Sequence, residues 1–199
     1  MRAVLYAACA QAGFLLRGRS LVDLALDRLA EAGVTDVNIT VDGRASAVLA
    51  QVRARHGGPA CHFEAVDAQA GGGFVAHASA VWLDGPRPAL ARLRAALRPD
   101  VDAVLLVHRS FQVQADVGLG DFFLDPLGLP RRRVEGEIAP YVDAGVMLTR
   151  AGFVDLDKAI AAARVVAVVH DGLWFRLETE SDLEEAEAAL AAQVTGPTT

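Results

Sequence analysis

The sequence has little positive charge, and lysine is almost absent from it. Nineteen lysines and arginines stand against 25 acidic residues, for a net charge of -6, and Lys158 is the only lysine. Binding a nucleic-acid backbone needs a concentrated positive field, so this balance argues against such a surface. The one dense basic segment, Arg131–Arg133, is interpreted as a solvated stretch beside a hairpin. A mechanism that needs an N-terminal lysine to hold phosphates has no candidate, and arginine would have to replace it.

Cysteine is scarce, and long apolar runs are missing. The two cysteines, Cys9 and Cys61, stand far apart, and neither belongs to a C-x-x-C pair that would indicate zinc or redox chemistry. The first eight residues are apolar but too few for a signal sequence, because Gly13 and Arg17 follow quickly. We therefore expect a cytoplasmic protein without a membrane segment.

The chain has ample apolar material for one core. Its 199 residues are 53% hydrophobic, which suits a single domain of ordinary size. We expect that domain to span residues 1–194 and residues 195–199 to form a frayed tail.

Strand-like and helix-like segments alternate in the first half. Apolar runs predict strands at Arg2–Ala8, Val37–Val41 and Cys61–Ala65, and helical spacing predicts helices from Ser20 to Gly33 and over Ala45–His56. This alternation is typical of a parallel sheet. Right-handed crossovers then place the loops after the strands along one rim, where open α/β sheets bind ligands.

The second half has a more antiparallel rhythm. An apolar stretch ends at Trp82. The segments after it predict strands at Ala103–Val107 and Tyr141–Leu148, a hairpin over 120–135, and strands on either side of the turn Asp171-Gly172. Helices are predicted at Pro88–Leu97, Leu156–Arg164 and Thr179–Ala192. The fold class is therefore α/β, with three layers and a mostly parallel central sheet that carries a small antiparallel extension.

Several segments share a pattern with a known family. The helix Leu21–Leu29 with the turn Ala32–Val37 resembles the sugar-1-phosphate nucleotidyltransferases. The likeness strengthens at Trp82–Pro86, Gly120–Asp125, Tyr141–Val146 and His170–Phe175. Within that family the chain is most similar to the bacterial branch that includes the N-acetylmuramate-1-phosphate uridylyltransferases. The resemblance covers nearly the whole chain and implies a Rossmann-like nucleotidyltransferase fold.

The phosphate-binding part of that family is shortened here. Its members cradle the triphosphate with a glycine-rich, arginine-bearing loop after the first strand, and a Lys-Pro pair beyond it adds positive charge. In this chain only three residues separate Ala7–Gly13 from Arg17–Ser20, so most of that loop is missing from the sequence. If the remainder aligns without a gap, Gln11 stands where the lysine belongs.

The metal-binding part of the family is substituted. An aspartate at the end of a central strand helps to hold Mg²⁺ in these enzymes, and matching back from Trp82 places Ser79 there, although a hydroxyl is a poor replacement for a carboxylate. Many members carry a second aspartate beyond the C-terminal tryptophan. Arg176 occupies that position, and Glu178 replaces the glycine of the next turn. Some members of this branch also lack this aspartate.

The glycine triplet Gly71, Gly72 and Gly73 resembles the family segment that approaches the base and the sugar. A flexible turn is an equally good interpretation, since glycine serves both purposes. The helix that should follow the triplet is shortened in the sequence.

Other constellations have weaker support. His77 and Ser79 would share one face of a strand, but no nucleophile-elbow sequence surrounds the serine. His108, Asp116, Asp121 and His170 match no compact metal-binding spacing.

We interpret the chain as a degenerate relative of these transferases, with little or no Mg²⁺-dependent transfer and no cofactor of its own, retained for ligand binding, regulation or assembly. In the alternative it is an active enzyme with a rebuilt site. Arg17, Arg19 or Arg176 would then supply positive charge, and Asp84 or Asp121 would contact Mg²⁺. The partners we expect are a nucleotide or sugar nucleotide and, if lost loops uncover apolar surface, a second copy or another protein.

Overall fold

The segment Arg2–Ala8 forms the first strand, β1, of a central sheet. The computed structural model describes residues 1–11, 13–42, 46–63, 71–112 and 118–194. The further strands are β2 (Leu15–Leu16), β3 (Arg19–Ser20), β4 (Asp36–Asp42), β5 (Ala60–His62), β6 (Gly73–His77), β7 (Ala80–Leu83), β8 (Ala103–Arg109), β9 (Phe122–Leu124), β10 (Pro130–Arg132), β11 (Tyr141–Thr149), β12 (Val165–Val169) and β13 (Leu173–Arg176). The α-helices are α1 (Leu21–Glu31), α2 (Ser46–Ala54), α3 (Ala89–Ala96), α4 (Leu156–Ala161) and α5 (Glu180–Val194).

The main sheet has the strand order β5-β4-β1-β6-β11-β8-β12. Only β11 runs against its two neighbours in this order, and the other strands of the series are parallel to one another. The hairpin β9–β10 joins the beginning of β11 through the pair Tyr141 and Phe122. The predicted fold class, a mostly parallel sheet with a small antiparallel extension, is therefore confirmed.

Side chains on the two faces of the sheet enter two separate cores. In β8, Val104 and Leu106 belong to the larger core, which also contains residues of α1, α2, α3 and α5. Leu105 and Val107 belong to the smaller core, which includes Ala159 of α4. Successive residues of a strand point to opposite faces, so the apolar run Ala103–Val107 of β8 reflects burial on both sides.

The helix boundaries follow the capping residues of the sequence. The Ser20 hydroxyl accepts a hydrogen bond from the Asp23 N–H and so caps α1. At α5, the Asp182 N–H donates to the Thr179 hydroxyl, and the Thr179 N–H donates to the Asp182 carboxylate. This reciprocal pair is the predicted capping box. Among the residues that the structure describes, no helix is both long and apolar enough to cross a membrane.

The apolar stretch that ends near Trp82 forms two strands rather than one. After β6 the chain turns into β7, which pairs antiparallel with β13 in a separate ribbon. The sequence predicts strands on both sides of Asp171-Gly172, and both are present, but β12 joins the main sheet while β13 joins β7. Parts of two predicted elements, Ala45 and residues 64–65, lie outside the described residues, as do residues 195–199.

The turns at the ends of β7 and β12 touch through glycines. A Cβ at Gly172 would lie 1.9 Å from the Leu83 carbonyl oxygen, and one at Gly85 would lie 2.8 Å from the Asp171 carbonyl oxygen. The ring of buried His170 supports the same contact, because its Nε2 lies 3.2 Å from the Leu83 oxygen and 3.0 Å from the Leu173 oxygen. Only glycine permits two backbones to approach this closely.

A bulge interrupts β11 where it pairs with β8. Asp143 stands opposite Val107 and Val146 opposite Leu106, so three steps along β11 match one step along β8. Gly145 lies inside the bulge with a φ of +70°, and a Cβ there would meet the Ala80 side chain at 2.9 Å.

The glycine triplet lies at the beginning of β6, at the opposite edge of the sheet from the strand's carboxyl end. A Cβ at Gly73 would lie 2.4 Å from the Arg2 carbonyl oxygen, and one at Gly72 would lie 2.5 Å from the Ala151 nitrogen. Since β6 begins at Gly73 itself, the shortened helix that the sequence suggests after the triplet is replaced by a strand. Gly72 and Gly73 therefore pack backbone against backbone, whereas a Cβ at Gly71 would meet nothing within 4 Å.

This packing predicts unequal effects of alanine within the triplet. Gly73 has a φ of +134° and no room for a side chain, so Gly73→Ala should lower the free energy of unfolding by about 3 kcal/mol. Gly71→Ala is the matched control, since a Cβ there meets nothing within 4 Å, and we expect a change within about 0.5 kcal/mol. Urea denaturation measures both, and equal stability of the two variants would contradict the packing role.

Candidate functional site

A polar cleft of about 230 Å³ lies at the carboxyl end of β6. Its charged and polar lining residues are His77, Ser79, Asp121, Arg132, Asp143, Arg176 and Glu178. Open α/β sheets bind ligands at the carboxyl ends of their strands, and this cleft has that position.

Secondary structure places each of the central side chains. His77 is the last residue of β6, and its ring stacks on Tyr6 of β1 with 5.2 Å between centroids. Asp143 directly precedes the β11 bulge, and Arg176 ends β13. By strand alternation, His77 and Asp143 lie on the face opposite to their neighbours Ala76 and Ala144, which belong to the larger core.

Hydrogen bonds fix Asp143 and its neighbours. The Asp143 N–H donates to Asp121 Oδ2 at 2.8 Å, and Asp143 Oδ1 accepts from the Gly145 N–H at 2.8 Å. Arg176 donates through Nη2 to the Asp143 carbonyl oxygen at 2.8 Å, and its guanidinium carbon lies 5.4 Å from the centre of the Trp174 ring. One oxygen of each carboxylate is therefore bound by the backbone, and the guanidinium is held beside them.

The environment raises the pKa of Asp143. Burial is the main cause and the nearby Asp121 charge adds to it, whereas the Gly145 N–H, His77 and Arg176 oppose the shift. Burial also lowers the pKa of His77, although the Asp143 charge works against this change. The cleft thus holds an aspartate and a histidine whose charged forms are both disfavoured, a combination that is typical of functional sites.

The side chains of this cleft are poorly suited to Mg²⁺, which prefers a set of oxygen ligands rich in carboxylates. Ser79 offers only a hydroxyl group, and Arg176 brings a fixed positive charge to the same cleft. A divalent cation at the two aspartates would lie beside that guanidinium. In the described part of the chain, no group of three or more His, Cys, Asp or Glu side chains is placed to hold a metal ion.

The structure separates the site residues that the sequence suggests. Arg176 and Asp121 share the polar cleft, but Arg17 and Arg19 line a different, apolar groove. Asp84 caps α3, because its Oδ1 accepts the Ala89 N–H at 2.7 Å. The glycine triplet lies at the far edge of the sheet. A role of these separated residues in substrate binding stays a prediction without support from a shared cleft.

Two of the four residues weighed as metal ligands in the sequence, His108 and His170, lie close together. The rings of His108 and His170 lie 5.9 Å apart, but Asp121 lines the polar cleft and Asp116 is outside the described residues. Both Nε2 atoms face carbonyl oxygens, which hydrogen-bonds them to the fold.

Asp143 is not among the site residues that the sequence suggests. The sequence does contain an indication of its role, because this carboxylate interrupts a largely apolar strand directly before an Ala-Gly pair. Burying a carboxylate costs free energy, so its position within Tyr141–Val146 could have indicated a functional residue.

One curated relative matches most of the sequence. The N-acetylmuramate alpha-1-phosphate uridylyltransferase of Caulobacter vibrioides is 31% identical over 206 residues, which cover 87% of this chain and 85% of that protein. No family model matches the chain.

Solved structures share the fold at low sequence identity. A UDP-glucose pyrophosphorylase in complex with UDP-glucose has a TM-score of 0.69 and 10% identity, with 96% of this chain and 98% of that chain covered. The inositol-1-phosphate CTP transferase from T. maritima has a TM-score of 0.66 and 14% identity, with coverage of 100% and 98%. At these identities the likeness shows the fold alone.

The raised pKa of Asp143 predicts that this carboxyl group destabilises the folded protein near neutral pH. A pKa above the unfolded value contributes stability only in acid, and that contribution is lost as the pH rises through the folded pKa. Asp143→Asn keeps an oxygen for the Gly145 N–H and removes the charge, so it should increase the free energy of unfolding by about 1 kcal/mol at pH 7.

Urea denaturation at several pH values tests this expectation. The gain should shrink as the pH falls towards 4, because the native carboxyl group then becomes neutral. Asp100→Asn serves as the control, since this exposed carboxylate pairs only loosely with Arg98 at 3.5 Å, and it should change stability by less than about 0.5 kcal/mol. A loss of stability in Asp143→Asn at neutral pH would show that the charge itself is needed by the fold.

Proposed function

Because this chain belongs to the family of sugar-1-phosphate nucleotidyltransferases, we propose that it keeps their fold but no longer performs Mg²⁺-dependent nucleotidyl transfer. Its polar cleft binds a nucleotide or sugar nucleotide as a ligand, and the protein acts through that binding in regulation or assembly. We place it in the bacterial cytoplasm, as its membership in this branch suggests.

The observation that carries the proposal is the position of Arg176. Its guanidinium is hydrogen-bonded to the Asp143 carbonyl group inside the cleft, at the place where many members of the family carry an aspartate for the metal. A fixed cation there repels Mg²⁺, whereas it attracts the phosphate of a ligand. The same residue therefore weakens metal binding and favours metal-free binding of an anion.

The loss of positive charge near β1 supports the same conclusion. The loop after β1 is replaced by a short 3₁₀ turn and the small hairpin β2–β3, and α1 begins at Leu21. If the chain aligns with the family without a gap at this point, Gln11 stands where the lysine belongs. Phosphoryl and nucleotidyl transfer depend on neutralising crowded phosphates, and each missing group costs orders of magnitude in rate.

The active alternative also has one observation in its favour. Arg176 and the carboxylates Asp121 and Asp143 converge on one cleft, as a rebuilt site would require. Arg17, Arg19 and Asp84 do not join them. An enzyme of this kind would have to hold a triphosphate in a cleft that has two arginines, of which Arg132 pairs with Asp157, beside three carboxylates.

Two measurements on the purified protein separate these readings. The first follows pyrophosphate release from UTP and N-acetylmuramate alpha-1-phosphate with Mg²⁺, and we expect no turnover above the background. The second is calorimetric titration with UTP and UDP-N-acetylmuramate, with and without Mg²⁺. We expect saturable binding of one of these ligands that Mg²⁺ does not strengthen, and a Tm that rises with ligand concentration.

Variants of the cleft sharpen this test. Arg176→Gln removes the cation and should weaken ligand binding by about tenfold or more, while the exposed Arg53→Gln should change it little. Arg176→Asp combined with Ser79→Asp restores two carboxylates and should make binding dependent on Mg²⁺. Saturable Mg²⁺-dependent turnover by the native chain would overturn the proposal in favour of the rebuilt enzyme.

A further inference from the structure

A second concave site lies on the other face of the β7–β13 ribbon. This apolar groove of about 280 Å³ is formed by α1, the hairpin β2–β3, the ribbon and α5. Its apolar lining consists of Leu16, Leu24, Ala25, Val81, Trp82, Leu83, Phe175 and Leu190, together with Ala80. Because residues alternate along β13, Arg176 faces the polar cleft while Phe175 faces the groove. The two sites therefore share a wall but not an opening.

Three arginines and no carboxylate complete the lining of the groove. Arg28 bonds to Glu31 at 3.0 Å, and Arg19 pairs with Asp27. Arg17 is different, since only its backbone N–H is engaged, by Glu187 at 2.5 Å. In the described part of the chain its guanidinium has no partner. The groove thus carries, at its exposed rim, one arginine whose guanidinium is not paired within the described residues.

The backbone at Arg17 has a left-handed conformation that is unusual for arginine. Arg17 and Gly18 form the turn of the hairpin with φ values of 51° and 74°. Hairpin turns of this kind favour Asn or Gly at both positions, and an arginine there is held in a less favourable conformation. Asn or Gly would fit the first position of this turn with less strain than arginine does.

We propose that this groove binds a small amphipathic anion, with an apolar body the size of a short acyl chain or a single aromatic ring and one carboxylate or phosphate group. The apolar body lies against Trp82 and Phe175, and the anionic group pairs with Arg17. The volume suits only a small ligand, since it lies just below the range of about 300 to 1,000 Å³ that is typical of such sites. This site is separate from the polar cleft and does not depend on the function proposed for it.

The test uses octanoate as the probe and octanol as its uncharged counterpart. Calorimetry on the native protein should show octanoate binding at one saturable site and more tightly than octanol. Arg17→Asn removes the cation and suits the left-handed turn, so it should fold at least as well as the native chain. It should weaken octanoate binding by about tenfold and leave octanol binding unchanged.

Two controls locate the site. Arg53→Gln, on the exposed side of α2, should bind octanoate within about twofold of the native protein. In a Trp174→Phe background Trp82 is the remaining tryptophan, and its fluorescence should change in proportion to octanoate occupancy. Phenyl phosphate in the same titrations shows whether the groove prefers phosphate to carboxylate.

Several results would overturn the inference. Equal octanoate affinity in Arg17→Asn and the native chain would show that Arg17 does not bind the anionic group. Saturable binding without a Trp82 signal would place the ligand elsewhere. No binding of octanoate or phenyl phosphate to the native protein would show that the groove is only a packing defect.

Discussion

The arrangement of both concave sites depends on one close contact between two backbone turns. Gly172 brings the turn after β12 against the Leu83 carbonyl group, and Gly85 meets Asp171 from the other side. His170 sits beneath them, and because its Nε2 faces two carbonyl oxygens, which only accept hydrogen bonds, that nitrogen carries the proton. Burial lowers the pKa of His170, which keeps the ring neutral. This contact holds the β7–β13 ribbon across the end of the sheet, and the ribbon supplies a wall to each site.

This contact also explains how a chain can keep the sequence pattern of a family while the side chains in its cleft vary. The segments Trp82–Pro86 and His170–Phe175, which carry much of the resemblance, make contact with each other and with the core. Their glycines allow the two turns to approach each other, and His170 supports that contact. Arg176 comes directly after them but faces the cleft, where a change of side chain leaves that packing intact. Core and site therefore accept substitutions independently, although they are adjacent in sequence.

The fold could be predicted from the sequence because its signals are local. The capping pair Thr179 and Asp182, the stop at Gly33 and the apolar run of β8 each act within a few residues. The site could not be predicted as well, since its members come from strands far apart in the chain. Asp143 and Arg176 meet because the β7–β13 ribbon brings the end of β13 to β11. Gly73 makes a close contact with the Arg2 backbone that no local pattern reveals.

The β11 bulge has a consequence for how such a site can change over time. It contains two extra residues relative to β8, and side chains alternate with a period of two. Gaining or losing such a pair therefore leaves every inward-facing residue on its proper side, whereas a single insertion would exchange the faces of half the strand. Length changes in steps of two can thus move Asp143 relative to its neighbours while the interior of the protein remains the same.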